Sequence, residues 1–88
     1  LDPQQTLGDM LTSMKEKRWE DAKELADALH EWLVKGGFPP TTLGDSSLGK
    51  NWHRAIATFA CLAAASQVED ILKRRQRRKA KATTTGDA

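Results

Sequence analysis

The stretch Gly44-Asp45-Ser46-Ser47-Leu48-Gly49-Lys50-Asn51 comes nearest to a chemical motif in this chain. Its glycines and lysine have the spacing of a phosphate-binding loop, and a helix is expected to follow. Such a loop needs Ser or Thr after the lysine to hold magnesium, and Asn51 stands there instead. No strand leads into it, and 88 residues leave no room for a nucleotide-binding sheet. What remains is a glycine-rich approach to a helix whose first turn, with Lys50, His53 and Arg54, could hold an anion weakly. His30, His53 and the single cysteine, Cys61, are scattered along the chain without metal-ligand spacing. No nucleophile, base and orienter are set out together. Neither an enzyme nor a cofactor nor a metal site is expected.

Charge is the stronger signal. The net charge of +2 conceals an uneven distribution. Residues 1–72 carry seven Lys/Arg against eleven Asp/Glu, whereas residues 73–88 carry seven Lys/Arg against one Asp. The cations are Lys73, Arg74, Arg75, Arg77, Arg78, Lys79 and Lys81. Seven cations in nine residues can neutralise several phosphates and release their counterions, so nucleic acid is a candidate partner. No aromatic residue interleaves with them, which argues against base stacking. The plainer reading is a solubilising or protein-binding tail, favourable near a helix C-terminus. Glu20, Glu24, Asp27 and Glu31 recur at helical spacing. They form either a solvated face or a docking surface for a basic segment, such as the tail of a neighbouring chain.

These residues need helices to position them. Asp2 is suited to cap a first helix, with Pro3 at its first position and Gln5 completing a capping box. Leu7, Met10, Leu11 and Met14 then form one apolar stripe. A second helix is expected from Trp19 to Lys35. Ala22, Leu25, Ala26, Leu29, Trp32 and Leu33 would lie on its inner face, with Gly36-Gly37 and Pro39-Pro40 ending it. The loop 38–48 is expected to fold back through Phe38, Leu43 and Leu48. A third helix is expected from near Asn51, capped by Ser46, Ser47 or Asn51, to at least Arg75.

That third helix is apolar on two sides. Trp52, Ala55, Ile56, Phe59, Ala63 and Ser66 form the face expected to meet the other helices. Ala57, Cys61, Ala64, Val68 and Ile71 form a second seam with 4-3-4-3 spacing. The seam packs beneath the first helix or the loop, or it pairs with a second copy. A core this small often needs a partner.

The hairpin turn Trp19-Glu20-Asp21-Ala22 resembles that of tetratricopeptide repeats, but only one hairpin is present. Arg18-Trp19-Glu20-Asp21-Ala22 with Asn51-Trp52 is similar to the helical domain of the steroid receptor RNA activator protein over about a dozen positions. The long Gly/Pro loop departs from that domain, and neither resemblance carries a function across.

The expected architecture is therefore all-α. It is a three-helix bundle over residues 1–75, with an antiparallel helical hairpin, a Gly/Pro loop and a long third helix, followed by a basic, disordered tail over 76–88. The expected role is a non-enzymatic interaction module that self-associates as a homodimer through the third helix. The alternative is a nucleic-acid-binding protein anchored by the basic run. The longest apolar run, Ala55–Ala65, interrupted only by Thr58, is short for a membrane span, so a membrane is not expected as partner. The lone cysteine fits a reducing, cytoplasmic setting.

Overall fold

The structure is a computed structural model that describes the backbone of residues 1–87 and the side chains of residues 1–78. It is an all-α three-helix bundle. Helix α1 spans Pro3–Lys15, α2 spans Trp19–Val34 and α3 spans Lys50–Asp87, with a short 3-10 turn at Ser46–Leu48.

Local chemistry sets the helix ends. The Asp2 side chain accepts the Gln5 backbone N–H, and Pro3 supplies a φ already suited to a helix. The Gln5 side chain does not close the expected capping box. It donates to Asp9 instead, one turn further along. Both α1 and α2 end in Schellman turns. At α2, Gly37 N–H reaches Trp32 O and Gly36 N–H reaches Leu33 O, with Gly36 at φ +90°. A Cβ on Gly37 would run into the Trp32 indole, so the second glycine provides space rather than conformational freedom. At α1 the same bonds run from Arg18 to Ser13 O and from Lys17 to Met14 O. Here the left-handed position is filled by Lys17 at φ 61°, a conformation costly for any residue with a Cβ.

The three-residue turn Glu16–Arg18 makes α1 and α2 an antiparallel hairpin. Helix α3 returns antiparallel to α2. The Arg54 guanidinium donates to Leu33 O at the end of α2, while Lys23 near its start lies 3.6 Å from Glu69. Helix α2 is thus the middle element, packed on both neighbours. The core holds Leu7 and Met10 from α1, Ala26, Leu29 and Leu33 from α2, and Ala57, Cys61 and Ala64 from α3. Ala22 and Val68 are fully buried as well.

The inner face of α2 is the expected one, with Leu25 and Trp32 at its half-buried margins. The stripe of α1 is rotated from expectation. Leu11 is exposed, and Pro3 and Ser13 are buried in its place.

Helix α3 departs most. Most of the face expected to be inside lies outside: Trp52 and Phe59 are 44% and 74% exposed, Ala55, Ala63 and Ser66 are exposed too, and Ile56 is half-buried. The helix, expected to reach at least Arg75, continues to Asp87. At 1.5 Å per residue α3 far outruns its neighbours, and the molecule extends 61 Å along its longest axis.

The left-handed Lys17 generates a direct prediction. Lys17→Gly should raise the unfolding free energy by about 0.5–1 kcal/mol, because glycine takes this position without a Cβ clash. Urea denaturation measures it as a rise in midpoint at unchanged slope.

Candidate interaction face on the third helix

The rotational setting of α3 begins with two polar side chains at its start. His53 is buried, and its Nδ1 accepts the Thr42 backbone N–H at 2.9 Å. Nε2 therefore carries the ring proton and donates to Asp45 O at 2.7 Å. Arg54 reaches across to Leu33 O at 2.9 Å, a cation on the carbonyl end of α2. Both groups point toward α2 and the loop. Ala57, Cys61, Ala64 and Val68 follow them round the same side of the helix.

The loop between α2 and α3 is held by polar ties, not by the apolar anchors expected of it. Phe38, Leu43 and Leu48 are exposed, and Pro40 is the buried residue. Trp32 Nε1 donates to Phe38 O and Trp52 Nε1 donates to Leu43 O, both at 2.9 Å. Phe38 meets the Trp32 ring edge-on at 5.6 Å. The Gln4 side chain bridges both backbone groups of Thr41. Sequence reading missed this use of Gln4 and His53. No local pattern marked it, since Gln4 lies among Asp2, Gln5 and Thr6 and His53 lies beside Arg54.

These ties settle the phosphate-loop resemblance. Asp45 caps the short turn by accepting Ser47 N–H at 2.9 Å and the Ser47 hydroxyl, which holds its carboxyl below the usual range. Gly44 and Gly49 sit at φ +92° to turn the chain, and α3 starts at Lys50 without a cap from Ser46, Ser47 or Asn51. His53 and Arg54 are committed to the loop and to α2, so the suggested anion site loses two of its three side chains. Among the described residues no group of three His, Cys, Asp or Glu could hold a metal ion.

The seam offered for self-association, Ala57, Cys61, Ala64, Val68 and Ile71, is not available on the surface of the folded chain. The first four are at most 6% exposed and Ile71 is half-buried. Small side chains here and at Ala22 and Ala26 let α2 and α3 approach closely, so the seam forms the core. Burial, with Asp27 adding to it, pushes the Cys61 thiol up to about 11.

The opposite side of α3 is an apolar strip running from Trp52 through Ala55, Phe59 and Leu62 to Ser66. The exposed Leu43 and Leu48 precede it in the chain. Leaving a large apolar side chain in water forgoes about 1.5–3 kcal/mol of burial, so Phe59 and Leu62 together leave a substantial unmet driving force. Over Lys50–Arg78 the helix is also long and apolar enough, by length and composition alone, to cross a membrane. The run Ala55–Ala65, interrupted only by Thr58, understated this, because Ser66 and Gln67 break the run without ending the apolar stretch.

The charged candidates separate. Glu20, Glu24, Asp27 and Glu31 are exposed along α2. Two are neutralised on their own helix: Lys23 holds Asp27 at 2.7 Å, and Lys35 holds Glu31 at 2.8 Å, lowering the Glu31 pKa. Lys73, Arg74, Arg75, Arg77 and Arg78 are exposed, with Arg74 on Asp70 at 3.0 Å. Lys79 and Lys81 lie outside the residues whose side chains are described. Arg75 passes the α1–α2 turn, where it lines an open hollow of about 260 Å³ with Lys17, Arg18, Trp19, Glu20 and Asp21.

No family model matches the chain, and neither the curated proteins nor the solved structures include a significant match.

The buried thiol gives a pH signature. Its folded pKa lies above its unfolded value, so at alkaline pH the unfolded chain releases the proton first. Stability should therefore fall as pH rises from about 9 to about 11, by on the order of 2–3 kcal/mol, then level off. Cys61→Ala should remove this component from the alkaline slope, measured by denaturation at stepped pH.

Proposed function

We propose that this chain is a non-enzymatic helical interaction module that self-associates through α3. The observation carrying the reading is the exposed strip of Trp52, Phe59 and Leu62 on a helix whose other side is already packed. Scattered apolar residues on a surface are ordinary, whereas a contiguous apolar strip marks a contact site. The contact side is the one opposite the Ala57–Ile71 seam. The acidic stripe on α2 is then a solvated flank, with half of its charge already matched by its own lysines.

The cationic stretch of α3 supports a second reading, as a phosphate anchor for nucleic acid. Lys73, Arg74, Arg75, Arg77 and Arg78 are all exposed, and Arg75 lies beside the hairpin turn. They point around the helix axis, which suits sequence-independent contact with phosphates rather than groove reading.

Sedimentation equilibrium separates these readings. The wild-type chain should associate with rising concentration, and Phe59→Glu should remain monomeric while keeping its helical circular dichroism. Phe59 is mostly exposed, so the charge should cost about 0.5 kcal/mol or less of fold stability. A wild-type chain that stays monomeric at millimolar concentration, yet binds labelled duplex in a salt-sensitive way, would replace the first reading with the second.

A further inference from the structure

We propose that the occupant of the α3 outer face is a second copy in antiparallel register, with the twofold axis at Phe59; this rests on the self-association reading above. A twofold contact requires that if residue i meets j, then j meets i. With the axis at Phe59, Trp52 falls opposite Ser66, Ala55 opposite Ala63, and Ile56 opposite Leu62. The bulkiest side chain on the strip thus meets one of the smallest. Two alanines meet near the centre, where axes must approach closely. Phe59 packs against its own copy in the middle of the contact.

Charge selects the same direction. Past Ser66 the strip runs out at Asp70 on one side and at the start of α3 on the other. Antiparallel pairing brings Asp70 of each copy to the positive, N-terminal end of the partner's α3. It also carries Lys73 toward the loop that holds Asp45 in the partner. Parallel pairing would set Asp70 against Asp70 and the whole cationic stretch from Lys73 to Arg78 against its own copy, a like-charge contact that disfavours it. The two helix dipoles oppose each other only in the antiparallel arrangement. One consequence is that the two cationic stretches leave the dimer at opposite ends.

The test uses the full chain with a spin label on Gln67→Cys, an exposed position beside the strip rather than within it. Buried Cys61 is left in place, because its burial and raised pKa keep it from labelling. Antiparallel pairing about Phe59 places the two labels roughly 28 Å apart, from a rise of 1.5 Å per residue and the usual helix separation; parallel pairing places them roughly 15 Å apart. As a second readout, mixing Ala55→Cys chains with Ala63→Cys chains under mild oxidation should give the mixed disulfide as the main product. A dimer with the short distance and homodisulfides overturns the antiparallel register but leaves self-association standing. A monomer without dipolar coupling overturns both.

Discussion

Everything distinctive about this chain depends on how α3 is rotated about its own axis. Both sides of its middle third are apolar, so hydrophobicity alone leaves two settings close in energy. The small side decides the matter. Ala57, Cys61 and Ala64 allow α3 to lie close against Ala26, Leu29 and Leu33, where close packing gathers many weak contacts. His53 and Arg54 lock that choice, since each has a partner only when the small side faces inward. A half-turn rotation would bury Trp52 and Phe59, but it would leave the Thr42 N–H and the Leu33 carbonyl without these partners. A buried polar group left unpaired costs about 1–3 kcal/mol, comparable to the burial of one large side chain.

The consequence for function follows from the same setting. The larger apolar side chains are directed outward because the inner face is reserved for small ones. The molecule is therefore a two-helix hairpin that supports a long third helix and holds it with its apolar strip outward. The hairpin also fixes where the charges of α3 fall: Glu69 beside Lys23 on the body, and Arg75 beyond the turn.

Much of this was legible from the residues. The inner face of α2 separated cleanly from its acids, and Asp2 and Gly36-Gly37 marked helix ends through known backbone chemistry. Three helices and an antiparallel hairpin followed from those signals. The rotation of α3 was not legible, because ranking faces by the size of their side chains favours Trp52, Ile56 and Phe59 over alanines. Close approach depends on the partner surface, here Ala22 and Ala26, which a helix read in isolation does not reveal. Leu11 and Ser13 exchanged places in α1 for a related reason: a helix of 13 residues admits neighbouring stripes of nearly equal apolarity, and the neighbour chooses between them. The loop was misread because Phe38, Leu43 and Leu48 suggest apolar anchoring, whereas two indole N–H groups and a histidine bind its carbonyls.

The most direct measurement of the α3 setting is the rate at which Cys61 reacts with a small thiol reagent under native conditions. With the small seam inside, labelling should be slow, should be limited by opening of the fold, and should accelerate steeply as denaturant approaches the unfolding midpoint. Labelling at the rate of a free thiol in buffer would place Cys61 on the surface, turn Phe59 inward, and contradict the exposed apolar face on which the proposed interaction rests.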